Sequence, residues 1–418
     1  MDGINKTNKF LAFWIAIPTF FSYSAFFFPI ALKAFLIAPA GLFTISMLFY
    51  ISFAFLRRPK IQSIPEIRYL IMLLVVLCIG LLYTNAPNYG FSKILILYTW
   101  IILFFLYAPV IVNNYELYAK VSVFCGAVFL ILLYSRCGDP ISFFKSMQVQ
   151  GEVVRLGFEQ DSDSYGGLNP IWIARYLGFL FLMALFITKK KSRNLFLYGY
   201  MLVLFLYMIT AGSKGPIIAL LGGCVIFFAN ENISVNVKTI FFLILIFAVF
   251  ILLLNAIDFF SSSFFIERYS GKNTSAEERE VLIDVALQFS GIVSFLFGTG
   301  TGNFGYVINH KDARRYPHNI LAELYFENGI ISLVILALIY ISVLKYHKLI
   351  FKSRKLRMLV ATFVYFGLNS MFSGDLLANE YFFIFFILFH FEKLMIQKTE
   401  QLEMQLEQFN PDIAAYLK

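Results

Sequence analysis

The segment ILILYTWIILFFLYAPVIV, residues 94–112, contains no charged side chain and is long enough, as a helix, to cross about 30 Å of hydrocarbon. Comparable apolar runs recur along the whole chain of 418 residues. Hydrophobic residues make up 60% of the sequence and charged residues only 14%, which is too few to cover the surface of a water-soluble protein. The composition therefore predicts a polytopic integral membrane protein.

The apolar runs are hydrophobic on every side, whereas the strands of a membrane barrel alternate apolar and polar residues. We therefore predict an all-α fold with about twelve transmembrane helices. The predicted spans are residues 10–30, 34–56, 67–84, 94–112, 118–135, 171–188, 195–211, 215–229, 239–257, 328–344, 356–373 and 380–396. Residues 1–396 then form the transmembrane domain, and residues 397–418 form a cytoplasmic tail with the pattern of a short amphipathic helix.

Lysine and arginine gather in three connectors, at residues 57–60, 189–193 and 345–357, which follow spans two, six and ten. Because short cytoplasmic loops are enriched in these residues, all three connectors and both termini are predicted in the cytoplasm. Successive spans cross the membrane in opposite directions, so the loops alternate between its two sides. This alternation predicts that two long loops, residues 136–170 and 258–327, are outer loops, the second between helices nine and ten. The net charge of +9 then anchors the chain, and without a basic soluble domain we expect no nucleic-acid partner.

The turn TAGSKGP, residues 210–216, joins spans seven and eight on the predicted outer face. It presents one cation, Lys214, just before Pro216, and proline suits the first turn of a helix. Lys214 and the amides at the start of that helix are able to hold an anion together. The alternative is that the lysine side chain only extends to the membrane interface.

The second long loop carries the other candidate residues. Apolar residues at helical spacing within residues 278–287 predict a surface helix whose start holds Arg279. The glycine-rich run at residues 298–305 is interpreted as a plain flexible turn. His318 follows, and the ordinary histidine pKa of about 6.5 suits a general base near neutral pH, although a lone histidine is more often a structural residue.

Four motifs follow one another in the second half of the chain. They are Gly212-Ser213-Lys214-Gly215, Arg279 with Ala286-Leu287, Gly298-x-Gly300-x-Gly302-x-Phe304, and His318-Asn319 with Leu321, Glu327 and Gly329-Ile330. Their order and spacing over residues 205–345 resemble the signature of the bacterial O-antigen polymerase and O-antigen ligase superfamily, as does the layout of twelve spans. Two positions depart from that family: Lys214 stands where arginine is common, and no tryptophan follows Arg279.

The resemblance implies a glycosyltransferase that uses an undecaprenyl-pyrophosphate-linked saccharide at the outer face of the bacterial inner membrane. It makes His318, Arg279 and Lys214 the catalytic candidates, and Glu323 and Glu327 are alternatives to His318 as the base. The substrate-binding candidates are Arg155, Arg175, Arg268, Arg315, Asn319, Glu323 and Glu327. The donor itself supplies the energy, so no cofactor is expected, and a chain-length regulator and a flippase are the expected partner proteins.

Three functions remain open. A polymerase that extends the lipid-linked glycan is favoured over a ligase that transfers it to lipid A-core, although the motifs do not separate the two. In a flippase or transporter, Lys214, Arg279 and Arg175, which is expected one turn inside span six, would line a pathway; no internal repeat supports this function. Asp161 and Asp163 are interpreted as solvated side chains, so no metal site is expected.

Overall fold

A computed structural model describes residues 64–138, 170–188, 195–211, 213–229, 274–288 and 291–409. Across these residues the chain is helical, without a β-strand, and the predicted all-α class is confirmed. Three predicted spans, at residues 10–30, 34–56 and 239–257, and two basic connectors, at residues 57–60 and 189–193, lie outside the described residues.

The described helices are, in chain order, α1 Ile67–Leu81, α2 Pro87–Asn113, α3 Tyr115–Cys137, α4 Pro170–Ile187, α5 Leu195–Thr210, α6 Lys214–Phe228, α7 Thr274–Leu287, α8 Ile292–Phe297, α9 Phe304–Asn309, α10 Ile320–Leu344, α11 His347–Lys352, α12 Arg354–Phe372 and α13 Glu380–Phe409. A short 3-10 helix, Leu376–Asn379, precedes α13. Each of the nine predicted spans that fall within the described residues coincides with one of these helices.

Three of these helices are long and apolar enough to cross a membrane: Pro87–Asn113, Tyr115–Ser135 and Ile320–Leu344. Four shorter apolar helices are Ile67–Leu81, Ile171–Ile187, Leu195–Ile209 and Lys214–Phe228. The helices therefore have the character of an integral membrane protein, while the total of twelve spans and the outer loops stay predictions.

Helix α13 forms the centre of the bundle, and it packs against α12 and α2. Its residues 381–389, YFFIFFILF, are each at most 3% exposed. A helix that is apolar all round has to be covered on every side, and aromatic rings supply much of that cover. The ring of Phe382, for example, stacks on that of Phe363 in α12 with 4.6 Å between centroids.

At one end of the bundle, cations at the start of α12 bind the last carbonyl groups of three other helices. The pairs are Arg354 with Leu185 at 3.1 Å, Lys355 with Val112 at 3.1 Å, and Arg357 with Ala229 at 3.3 Å. These carbonyls lack partners within their own helices and lie at the negative ends of the helix dipoles. We call this the basic end of the bundle.

The opposite end carries the connectors that hold the sequence motifs, and we call it the motif end. There the hydroxyl of Tyr83 donates to the carbonyl of Phe297, and Gly215 packs directly against Phe372, the last residue of α12. The one basic connector that the structure describes, residues 345–357, thus lies at the end opposite the described motif residues. The side of the membrane that each end faces stays a prediction.

The glycine-rich turn after α8 is buried in the bundle, and the interpretation of residues 298–305 as a plain flexible turn was wrong. Thr301 is fully buried, and its hydroxyl donates to the carbonyl of Leu77 at 2.7 Å. The amide of Gly300 donates to the carbonyl of Glu327 at 2.8 Å. The turn fits between α1 and α10 because its glycines adopt positive φ angles and leave room for the neighbouring backbone.

The predicted surface helix is present as α7. Leu282 and Ala286 bury its inner face against Phe304 and Phe326, whereas Val281 is exposed. At the end of the described chain, α13 continues without a break to Phe409. The predicted amphipathic tail helix is therefore an extension of the last helix of the bundle.

Two glycine substitutions test the packing of the turn. Gly329, in α10, has a φ of 67°, and a Cβ there would lie 2.2 Å from the carbonyl oxygen of Leu296. Gly329→Ala should lower the thermal unfolding midpoint in detergent, because the left-handed conformation alone costs about 1–2 kcal/mol. Gly199→Ala is the matched control: no described atom lies within 4 Å of that Cβ, so a gain of about 0.5–1 kcal/mol is expected. Equal midpoints for the two variants would contradict this account.

Candidate active site

Arg175 belongs to α4, about one turn after its start, and its side chain lies inside the bundle beside the end of α12. The residue is 2% exposed. Its guanidinium donates to the carbonyl of Asn369 at 2.8 Å and to that of Ser373. A Cβ on Gly374 would approach the same guanidinium to 3.1 Å, so the backbone passes close to it. Arg175 therefore binds the end of α12 and shapes the segment that follows it.

That segment, residues 373–379, is called the connector below, and its central residue is Asp375. The carboxylate is fully buried and accepts two hydrogen bonds from Arg314, at 2.8 and 2.7 Å. It also accepts from the hydroxyl of Tyr89. Burial by itself would raise the pKa of Asp375, but the Arg314 guanidinium more than offsets this, and the pKa lies below its ordinary value. Asp375 is therefore ionised.

A second ionic group, called the Lys93 cluster, lies beside the connector. Lys93 in α2 is fully buried, and its ammonium binds the carboxylates of Glu323 and Glu327, the latter at 2.7 Å. The second oxygen of Glu323 accepts from the amide of Leu376 at 2.8 Å. Both glutamates are thus enclosed and paired with a cation, at the inner side of the site.

Residues 310–319 form the His318 loop, which is anchored on both sides of the histidine. Asp312 accepts from the amides of residues 88–89, at 2.9 Å each, and so binds the positive end of α2. Asn319 caps α10, and its side-chain amide donates to the carbonyl of Met371 at 3.0 Å. Between these anchors His318 adopts a φ of 59°, which is uncommon for a residue with a Cβ.

The imidazole of His318 is largely enclosed and surrounded by cations. Its Nδ1 is buried and makes no hydrogen bond to any described residue, and its ring lies 4.6 Å from that of Tyr316. Burial, the largest cause, and the charges of Arg279 and Arg315 together lower the pKa of His318 to about 4. The ring is therefore neutral at pH 7, and an apparent pKa of about 6.5, as expected from the sequence, does not apply to the protein without ligand.

Arg279 and Lys214 approach the same end of α12. Arg279, near the start of α7, donates to the carbonyl of Phe372 at 3.4 Å. Lys214 is exposed at the start of α6, where Gly215 packs so closely on Phe372 that a Cβ would lie 2.6 Å from it. The two cations belong to helices α6 and α7 and are 65 residues apart in sequence, yet both helices reach the residue that ends α12.

The candidate residues chosen from the sequence thus fall into three groups. Those at the end of α12 are Lys214, Arg279 and Asn319, with His318 next to Asn319 and Arg315 near His318. Those enclosed beneath them are Arg175, Glu323 and Glu327. Those outside the described residues are Arg155 and Arg268, together with the possible metal ligands Asp161 and Asp163.

Sequence reasoning missed Lys93, Arg314 and Asp375, the residues that hold this site together. Two of the three have a signal in the sequence: Lys93 is a lysine at the edge of an apolar run, and Asp375 is an acid in a short connector between two spans. Ionisable residues at such depth are costly and so are candidates by default. Their partners are not visible in the sequence, since 230 residues separate Lys93 from Glu323.

A family model described as O-antigen ligase matches residues 199–337. The matched segment contains Lys214, Arg279, His318, Glu323 and Glu327, and it overlaps most of the range over which the motifs were recognised. No curated protein and no solved structure matches the chain. The resemblance to the O-antigen polymerase and ligase superfamily is thereby confirmed.

We expect the imidazole of His318 to titrate near pH 4. Diethyl pyrocarbonate modifies only the neutral ring, so its rate of reaction with His318, read by mass spectrometry at different pH values, reports the titration. Arg315→Ala should raise the midpoint because it removes a nearby positive charge. A midpoint at or above about 6.5, the value for a free histidine, would contradict the burial of this ring.

The same pKa has a consequence for stability. The unfolded chain, with a histidine pKa of about 6.5, takes up the proton before the folded chain does as the pH falls. The contribution of His318 to stability is therefore present above about pH 6.5 and is lost as the pH falls through about 4.

Proposed function

We propose that this chain, whose residues 199–337 are a domain of the O-antigen ligase family, is a surface-polysaccharide polymerase acting on an undecaprenyl-pyrophosphate-linked donor. Members of this family are glycosyltransferase-like enzymes that act on lipid-linked sugars. The apolar helices of the bundle suit a lipid-linked substrate, which reaches the enzyme through the membrane. The reaction would take place at the outer face of the bacterial inner membrane, where we expect the motif end to lie.

The proposal is carried by one observation: Arg279 and Arg315 lie near a neutral His318, and Arg279 and the start of α6, which carries Lys214, both lie at the end of α12. A polyprenyl diphosphate joins two or more negative charges to an apolar tail, and cations at the edge of a hydrophobic bundle suit both parts. Charge-assisted hydrogen bonds to phosphate are among the strongest that a protein makes. The same cations would stabilise the negative charge that develops on the departing diphosphate.

In the reaction, His318 accepts the proton of an acceptor sugar hydroxyl. The oxygen of that hydroxyl forms a bond to the anomeric carbon of the donor glycan. The bond from this carbon to the diphosphate oxygen breaks, and undecaprenyl diphosphate leaves with the bonding electrons. The cleaved donor supplies the free energy, so the proposed reaction uses neither a nucleotide nor another cofactor.

Donor binding would also adjust the basicity of His318. Without ligand, its pKa of about 4 makes the imidazole a weak base. A bound diphosphate offsets the charges of Arg279 and Arg315, and nearby negative charge raises a histidine pKa. His318 would thus become an effective base near neutral pH only once the donor is in place, which limits proton transfer to the complete complex.

The second candidate is an O-antigen ligase, and the description of the matching family favours it. A ligase would use the same donor and the same residues, and it would differ only in its acceptor, the lipid A-core instead of a lipid-linked repeat unit. A transporter is less favoured, because Arg175 binds backbone carbonyls in the bundle rather than a pathway. A flippase and a chain-length regulator stay expected partners of the polymerase.

The first test is polymer formation by purified protein supplied with lipid-linked repeat units, read as a ladder on a gel. Arg279→Ala and Lys214→Ala should each lower the rate about ten- to a hundredfold, since a charge-assisted contact contributes about 1.5–3 kcal/mol. Lys214→Arg keeps the charge and should retain activity. Arg68→Met, which removes an exposed cation near the basic end, is the control. An active Lys214→Met beside an inactive Lys214→Arg would refute binding of the anion by Lys214.

Supplying lipid A-core in a parallel reaction separates the two candidate functions. Transfer to lipid A-core without growth of lipid-linked chains would identify a ligase. Growth of lipid-linked chains without transfer would identify a polymerase.

The second test concerns the base. His318→Ala should lower kcat by about 10² to 10⁴ while donor binding changes little. EDTA should not affect the wild type, because Lys214 and Arg279 are proposed to balance the phosphate charge. Loss of activity in EDTA that magnesium or manganese restores would instead favour Asp161 and Asp163 as metal ligands. Full activity of His318→Ala would make this histidine a structural residue.

A further inference from the structure

We propose that Asp375 and Lys93 are positioning residues for His318, because they fix the connector to which the His318 loop is bound. The proposal rests on the proposed function, in which His318 carries the proton. Asp375 and Lys93 are both fully buried, so they act through other side chains and not on a substrate.

The first link joins Asp375 to the imidazole. Arg314 lies four residues before His318 and binds both oxygens of the Asp375 carboxylate, which fixes its orientation as well as its distance. The guanidinium lies 5.5 Å from the centroid of the Tyr316 ring, and that ring lies 4.6 Å from the ring of His318. A displacement of Asp375 is therefore transmitted to the imidazole through two intervening side chains.

The second link joins Lys93 to the connector. Lys93 holds Glu323, whose other oxygen accepts from the amide of Leu376, the residue after Asp375. The cluster contains two carboxylates and one ammonium, and in a buried site the loss of that ammonium would leave both carboxylates unpaired. Lys93 thus holds the side chain of Glu323 in place, and Glu323 joins the connector to α10.

The third link is the backbone of His318 itself. A left-handed φ of 59° is unfavourable for a residue with a Cβ and persists only where the surroundings impose it. Asp312 and Asn319 hold the two sides of the loop, and Arg314 is its attachment to the connector. Release of Arg314 should let the backbone at His318 relax to a commoner conformation, which turns the ring away from Arg279.

Asp375→Asn is the principal variant, because it keeps the shape of the side chain and removes its charge. Arg314 is 41% exposed, so its unpaired guanidinium stays solvated and the variant should fold. Two properties are measured: amide hydrogen exchange in residues 310–319 by mass spectrometry, and kcat and KM for the lipid-linked donor. We expect exchange in the loop at least about tenfold faster, and kcat about 10- to 100-fold lower with KM nearly unchanged, since a shift of about 1 Å costs that much.

Companion variants separate positioning from general destabilisation. Arg314→Lys keeps the charge and should retain more of kcat than Arg314→Met. Replacing the Lys93 cluster by neutral residues of similar shape, Lys93→Met with Glu323→Gln and Glu327→Gln, should loosen the same loop. The control is Lys120→Met with Glu116→Gln, which removes an exposed ion pair on α3 and should leave both the exchange and the kinetics at wild-type values.

The proposal is overturned if Asp375→Asn leaves the exchange of residues 310–319 unchanged, if its kcat equals that of the wild type, or if KM rises as much as kcat falls. A wild-type protein that forms neither polymer nor ligated product would refute the proposed function. The exchange measurement would then still decide whether Asp375 fixes the loop, so the two failures are distinguishable.

Discussion

Carbonyl groups at the carboxyl ends of helices are the constraint on which this bundle depends. They have no hydrogen-bond donor within their own helix, and in hydrocarbon no water is present to donate instead. The chain meets this need with long basic side chains from other helices. Arg354, Lys355 and Arg357 do so at the basic end, and Arg175 does so at the end of α12. Each of these contacts joins α12 to another helix.

The candidate site is built on one such helix end. Residues 371–373, at the end of α12, receive donors from Asn319, Arg279 and Arg175. Cations drawn to this negative end of a helix would be available to an anionic ligand only where they are partly exposed, as Arg279 is and Arg175 is not. The architecture thus separates the cations of the site into one that supports the fold and others that face outward.

The sequence was sufficient for the helices, because they depend on local patterns. Apolar runs gave the positions of nine helices, and the spacing of apolar residues predicted α7. The Asp375 and Lys93 contacts are different, since 61 residues separate Arg314 from Asp375 and only the folded chain brings them together. No local pattern marks such a pair.

Two further expectations failed because burial is a property of the fold. The pKa of His318 was taken as that of a free imidazole, but enclosure and neighbouring guanidinium groups lower it to about 4. The glycine-rich run after α8 looked like an exposed turn, since glycines are common there. In the bundle the same glycines allow close contact between backbones, and a Cβ at Gly298 would lie 2.3 Å from the carbonyl carbon of Glu327.

The break in α10 at Gly329 limits how the site is able to move. Its φ of 67° interrupts the helix, and the carbonyls of Phe326 and Glu327 turn to the amides of Thr299 and Gly300. Irregular backbone at such depth is tolerated only while protein covers it, so withdrawal of this turn would expose those groups to lipid. The glycine-rich turn at residues 298–305 is consequently a fixed wall of the bundle and not a hinged lid.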